Sequence, residues 1–415
     1  MQKVITWWER GLIAALVLSI ALLGTGRLES PLGSIGAWSV SRTTFFFWIG
    51  FKLLLMIRGG WAASGLPRLR ALVPLYCFFL VATVSLLPDF REPGDYRYFF
   101  FGSFHAVMLV DLFSGKTQSR WLPLLAGIGP IIFVVRGIIH DPEILSLSLD
   151  HRFSFPLDHG NTAGYVLAMS IPLALAARVA KPVWRPAVAW ASCAGQVFGL
   201  ILTFSRGAWV GWGAAILCFL ATTKKWKWVA VLLAVAGTAI LISPELQRRV
   251  TTFARPAADE AMRTRLQFMR GALKAGLENP ILGVGYGRGR LKEAVRPHLQ
   301  GTGLESSPIW HSHSLYTELF AVTGFLGLTA FLWLIGDVFY RLSRATVRNE
   351  EGERLLGYGL VSSWVAAVVT GIGDVPFYHH ETRIFFFTLV AFAHIYDFSA
   401  SKSSEPNCFR AKAAL

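Results

Sequence analysis

Three short polar segments carry residue types suited to chemistry: His159-Gly160-Asn161, Ser205-Arg206-Gly207 and His311-Ser312-His313-Ser314. An imidazole exchanges a proton near neutral pH, so His313 is a candidate general base, and His311 a candidate to orient it or to bind substrate. The segment 243–313 adds eleven Lys or Arg, among them Arg263, Arg265 and Arg288, against six Asp or Glu. Guanidinium forks match phosphate and carboxylate oxygens, so this excess points to an anionic partner. The plainer reading is a solvated basic loop that touches lipid head groups. Asp374, His379 and His380 lie close together near the C-terminus and either line the same cleft or sit in a solvated loop. The glycine-rich stretch 283–289 lacks the strand–helix setting of a dinucleotide fingerprint and the Lys-Ser/Thr of a phosphate loop. It reads as a tight turn.

The elements that must position these groups are membrane helices. Of the 415 residues 53% are hydrophobic and only 16% charged, where a soluble domain carries about 25% charged residues. Apolar blocks approach the roughly 20 residues that cross a bilayer. The blocks predict an all-α polytopic membrane protein with about twelve transmembrane helices, at 11–26, 43–57, 71–88, 98–114, 121–139, 162–179, 187–204, 207–223, 228–243, 314–340, 355–373 and 383–398. Lys3 and Arg10 before the apolar run 12–23 look like a signal peptide, but no small-x-small site follows, so this is read as the first span. Residues 1–398 then form one transmembrane domain. It includes a large, partly helical external loop, 244–312, between spans nine and ten, and 399–415 is a cytoplasmic tail.

Basic loops alternate with loops holding Asp89, Glu92, Asp95, Asp141 and Glu143, which places both termini in the cytoplasm. Arg42, Arg91 and Arg152 run against that trend. Every even-numbered span then has its N-terminus outside, and spans six, eight and ten begin at the three polar segments. Unpaired N–H groups and the helix dipole favour anions there, with Asn161, Ser205 and Ser312 as candidate N-caps. Arg206 beside a positive helix end is unfavourable unless an anion or snorkelling relieves it. Residues 262–277 predict an amphipathic helix with Leu266, Met269, Leu273 and Leu277 on one stripe, suited to a membrane surface. The net charge of +15 is mostly the cytoplasmic topology signal and implies no nucleic acid. The four cysteines suggest neither a metal site nor a disulfide framework.

His313 and Gly324 are close to three helical turns apart, and Gly324 and Gly327 would let a neighbouring helix approach and hold His313 rigidly. His313-Ser314, nine residues, then Gly324-Phe325-Leu326-Gly327 resembles the His-[Asn/Ser/Gln]-x9-Gly-x-x-Gly pattern of the O-antigen ligase superfamily. Ser205-Arg206-Gly207 resembles its Ser-Arg-Gly segment. Arg265 followed by Asn279-Pro280 and the glycine turn resembles its second arginine motif.

This resemblance implies a GT-C-type glycosyltransferase of the bacterial inner membrane, with its active site facing the periplasm. The donor would be an undecaprenyl-diphosphate-linked glycan, and the acceptor lipid A-core oligosaccharide. It implies catalytic roles for His313 as base and for Arg265 and Arg206 on the leaving diphosphate. Around them, His311, Ser205, Asn161, Arg263, Arg288, Asp374 and His379 are candidate substrate-binding residues. No cofactor or metal is expected; a His311-x-His313 zinc site lacks a third ligand of obvious spacing. An O-antigen polymerase or an O-linked protein glycosyltransferase of the same superfamily remains open. So does a lipid or glycan transporter, although no internal repeat is visible and Lys52, His105, Asp111 and Asp337 form no obvious chain.

Overall fold

The computed structural model describes residues 2–403 except 26–27, 31–32, 64–70, 87–93, 117–118, 120, 147–150, 158, 178–185, 226–236, 239–240, 242, 255–258 and 350. Its apolar helices follow the apolar blocks. They are α1 (Gln2–Thr25), α2 (Ala37–Ala63), α3 (Val73–Leu86), α4 (Gly94–Phe113), α5 (Trp121–Ile128) and α6 (Ile131–His140), then α7 (Gly160–Ala177), α8 (Pro186–Leu202) and α9 (Arg206–Thr222). A two-stranded antiparallel ribbon, β1 (Leu28–Ser30) with β2 (Gly33–Ile35), joins the first two helices. The large loop contributes α10 (Pro244–Ala254), α11 (Glu260–Glu278) and α12 (Arg288–Val295), and the chain closes with α13 (Leu315–Arg348), α14 (Glu351–Gly373) and α15 (His380–Ser403).

Among the described residues, seven helical stretches are long and apolar enough to cross a membrane, and α3, Phe99–Phe113 of α4, α8 and α9 are shorter apolar helices. The ninth predicted span, 228–243, falls almost wholly outside the described residues. The fifth span is not one helix. Proline at 130 has no N–H to continue the ladder, so α6 restarts there with Pro130 as its N-cap. The last helix also outruns the predicted end at 398 and reaches Ser403, so the predicted tail begins helical.

The apolar stripe of α11 behaves unusually for a loop helix. Leu266, Leu273 and Leu277 stay exposed, while Phe268, Gly271, Ala272, Ala275 and Gly276 are buried. The small-residue face lets α11 lie directly on α13, where a Cβ at Gly276 would sit 2.6 Å from the Phe320 ring. Phe268, Ala272 and Ala275 form a satellite core with Leu291, Val295, Leu299, Ala321 and Val322. The exposed leucines on the other face suit a membrane surface.

Contact between α11 and α13 is clasped further along by backbone. Helix α13 breaks at Gly324, whose φ is +64° and whose added Cβ would lie 2.2 Å from the Ile281 carbonyl. Only glycine fits that conformation and that approach. The broken helix leaves backbone groups without intrahelical partners. Phe325 and Leu326 donate their N–H groups to Pro280 and Ile281 (2.7 and 3.3 Å), while Val284 and Gly285 donate to Ala321 and Val322 (2.8 and 3.1 Å). The two glycines of the sequence pattern therefore do different work from the helix contact predicted for them. Gly324 admits a loop, and Gly327 leaves room for the Thr323 hydroxyl of its own helix, 1.9 Å from where a Cβ would be.

Candidate active site

The N-termini of α7, α9 and α13 meet. Gly164 of α7 packs on Ser205 and Ala208 of α9, where a Cβ would come within 3.1 and 2.7 Å. Leu315 at the start of α13 donates its N–H to the carbonyl of Asp374, just past α14 (3.0 Å). Asp374 is the hub. Its carboxylate, 5% exposed, accepts from Asn161 Nδ2 (2.9 Å), the Tyr165 hydroxyl and its neighbour's backbone, Val375 N–H (2.8 Å). Nδ1 of His311 lies 3.9 Å away. Burial alone would raise the Asp374 pKa; His311, Arg265, the Tyr165 hydroxyl and His313 outweigh it and hold the group ionised, below its ordinary value.

His313 sits in the left-handed region, φ +62°, a sparsely populated conformation for a side-chain-bearing residue. The surrounding turn enforces it. Ser312 donates its N–H to Glu318 in the first turn of α13 (2.7 Å), its hydroxyl donates to the Ser314 carbonyl (2.8 Å), and His313 donates its N–H to Nδ1 of His311 (3.1 Å). That last bond leaves the proton of a neutral His311 on Nε2. The imidazole of His313 lies parallel to the Phe268 ring of α11 (5.9 Å, 6°) and edge-on to His311 (4.2 Å). Its Nδ1 is buried with no hydrogen-bond partner. Burial first, then His311 and Arg265, push its pKa well below the ordinary histidine value against the pull of Asp374.

Arg265 is one turn before Phe268 on the same face of α11. It makes no hydrogen bond or ion pair to a described residue, yet its charge acts on His313, Asp374, His159, Arg152 and Arg249. Arg206 is 5% exposed and is relieved by an anion within the chain: it pairs with Asp259, which also N-caps α11 by accepting from Met262 N–H (3.2 Å). Two further arginines complete the cluster. Arg152 donates to the Thr203 carbonyl (2.8 Å) and to Asn161 (3.1 Å), and Arg249 donates to the Phe204 carbonyl (3.1 Å). Burial and the charges of Arg206 and Arg152 push Arg249 down to about 10, so it stays protonated at neutral pH. Four guanidiniums, those of Arg152, Arg206, Arg249 and Arg265, thus lie near the carboxylates of Asp259 and Asp374, close enough for their charges to act on one another.

Other predicted residues are placed as follows. His379 stacks near His159 (6.0 Å) at the edge of the hub; burial and His159 lower its pKa to about 4. Ser205 is the N-cap residue of α9 without a side-chain cap bond, Ser314 rather than Ser312 takes that position on α13, and Asn161 lies inside α7 and bridges Arg152 to Asp374 instead of capping. Arg263 is exposed, about 200° around α11 from Arg265 at ~100° per residue, and stands apart from the cluster. Arg288 opens α12, and its side chain lies outside the described residues. Asp374 supplies the third ligand the His311-x-His313 pair lacked in sequence, with ligand-capable atoms of the trio within 4.8 Å of one another. The surrounding guanidiniums work against a cation there.

Residues 191–332, 142 of the 415, match the family model described as O-Antigen ligase. This segment is similar to the O-antigen ligase family. No curated protein matches the chain. The family segment contains Arg206, Arg249, Asp259, Arg265, His313 and Gly324, whereas Arg152, Asn161 and Asp374 close the site from outside it. The described helices, seven of them in stretches long and apolar enough to cross a membrane, are those of a multi-pass membrane protein.

Proposed function

We propose that this protein transfers O-antigen polysaccharide from undecaprenyl diphosphate to lipid A-core oligosaccharide, at the periplasmic face of the bacterial inner membrane. The transfer is a metal-independent, inverting reaction of the GT-C type. The observation that carries this reading is His313, whose buried Nδ1 has no hydrogen-bond partner, beside Arg265, which makes no ion pair to a described residue, where α11 and the start of α13 are clasped together. The acceptor hydroxyl oxygen bonds to C1 of the donor sugar, and its proton passes to His313. The C1–O bond to phosphate breaks, and its electron pair leaves on the lipid diphosphate. Attack from the face opposite the leaving group inverts C1. Arg265, with Arg152 and Arg249 near it, stabilises the charge that develops on the diphosphate. Arg206, held by Asp259, seats the N-terminus of α11 and so aims Arg265.

His313 is neutral in the free enzyme at neutral pH because its pKa is lowered. A bound diphosphate offsets Arg265 and raises that pKa, so the base strengthens once donor is present. The test is transfer by the purified full chain from lipid-linked glycan to lipid A-core, with EDTA and without ATP. A larger lipid A-linked product formed by wild type and absent with His313→Ala supports the ligase reading. Lengthening of the lipid-linked glycan instead assigns the same site to polymerisation. Inactivity on both acceptors, where a known ligase is active in the same mixture, overturns the reading.

A further inference from the structure

A cavity of about 840 Å³ opens where α6 ends, between it and the loop 151–157. Its wall includes Arg136, His140, Asp141, Glu143, Arg152 and Phe155. Its floor is firmly built. Phe153 donates its N–H to the Leu202 carbonyl (3.0 Å) and stacks on Phe133 of α6 (5.5 Å), and Gly137 approaches so closely that a Cβ would lie 2.1 Å from the Phe153 ring. The Phe155 ring lies parallel to His140 (3.8 Å, 4°) with the Arg136 guanidinium 5.6 Å from its centroid. At the mouth, Glu143 donates its N–H to Asp141 (3.2 Å), and His151 reaches the Glu143 carboxylate (3.3 Å).

The volume is that of a small-molecule site, within ~300–1,000 Å³. The chemistry selects among ligands. Two carboxylates at the mouth disfavour a phosphate, and the charged wall disfavours an acyl chain. Flat rings against C–H faces, with carboxylates and a guanidinium to accept from and donate to neighbouring hydroxyls, suit a sugar. Arg152 belongs to both places: it lines this cavity and, through Asn161, joins the Asp374 hub.

We infer that this cavity is a sugar-binding subsite of the transferase site, holding glycan next to the position where the diphosphate binds. The inference rests on the transfer reading for its place in the reaction, but not for the binding itself. The sugar is either part of the donor glycan or part of the acceptor core; the same chemistry serves both, and the experiment separates them.

The probes are two phosphate-free oligosaccharides, one released from the host's lipid-linked glycan and one from its lipid A-core, titrated against the full chain in detergent and followed by saturation-transfer NMR. Wild type is expected to bind one of them, with affinity reduced about tenfold by Asp141→Asn/Glu143→Gln, as loss of hydrogen bonds to charged groups implies. The exposed His140→Ala, which leaves the mouth carboxylates in place, should weaken the same oligosaccharide. In steady-state transfer the KM for the matching substrate should rise about tenfold with kcat within twofold, the donor KM identifying a donor subsite and the acceptor KM an acceptor subsite. Oligosaccharide binding that depends on these residues in a chain that transfers nothing keeps the subsite and overturns the transferase reading. Equal binding by wild type and variants, or no binding of either oligosaccharide to wild type, overturns the subsite.

Discussion

Buried charge occurs in two very different arrangements in this protein. At the end of α13 remote from His313, Asp337 and Asp397 are matched by Arg341 and Arg344, with contacts of 2.8 and 3.3 Å from Arg341, while His394 adds a 3.3 Å contact to Asp337. Inside the helices, Lys52 and Asp111 pair at 2.5 Å, with the Trp48 indole N–H also donating to Asp111 (2.8 Å). These arrangements are closed: acids and bases balance, and each ion has a partner. The cluster at the N-termini of α7, α9 and α13 is open. Among the described residues, Arg265 makes no ion pair there and the buried Nδ1 of His313 no hydrogen bond. Closed networks hold helices together, whereas we propose that the open one, where four guanidiniums gather, is completed by an anionic ligand.

Substitutions should separate the two kinds of region. The largest effect is expected at the open site. Arg265→Ala should lower transfer by about 10²–10³-fold, the loss typical of removing one donor to developing charge. His313→Ala should lower it by about 10²–10⁴-fold, in each case with thermal unfolding unchanged. At the closed pair the pattern should reverse. Lys52→Met alone strands Asp111 and should cost about 3–5 kcal/mol of stability, while Lys52→Met with Asp111→Leu should recover most of it. Transfer per folded molecule should stay at the wild-type rate in that double variant. A transport function routed through these spans would instead make it inactive.

Between these limits lies the clasp. Gly324→Ala forces a side chain into a positive-φ site already filled by the Ile281 carbonyl, a strain of about 1–3 kcal/mol. It should loosen α11 from α13, lowering both transfer and melting temperature. The acid limb of kcat/KM should lie below the ordinary histidine range, because the His313 pKa is depressed in the free enzyme. The acid limb of kcat should lie higher, because bound diphosphate restores the pKa; activity is lost as pH falls through each value. The smallest effect is expected at Arg263→Ala, where steady-state constants should stay within about twofold, as for an exposed side chain away from the cluster.

These contrasts also mark what the sequence made legible. Apolar blocks marked the described apolar helices, and polar residues marked the N-termini of three of them, because a helix's length and polarity are local properties. Pairings across distance were not local. Arg206 finds its anion 53 residues away at Asp259, and Lys52 finds Asp111 across two helices. Arg152 stood out as a basic residue on the acidic side, and that exception was the usable signal: a cation kept against the topology trend has a reason to be there. Arg249 was visible among the basic residues of the loop, but Arg248, Arg270 and Arg296 share that composition, and only the fold selects among them. The glycines of the His-x9-Gly-x-x-Gly pattern were read as a helix contact because spacing alone cannot distinguish a close helix from a broken one.

The central claim is that the open cluster is an anion site completed by a diphosphate at Arg265. It is tested most directly by the affinity of purified full-length protein for undecaprenyl diphosphate without its glycan, comparing wild type with Arg265→Ala at low and high salt. The account predicts salt-sensitive binding to wild type that weakens about tenfold or more in the variant, the scale of one charge-assisted contact. Equal affinity in the two proteins would contradict it.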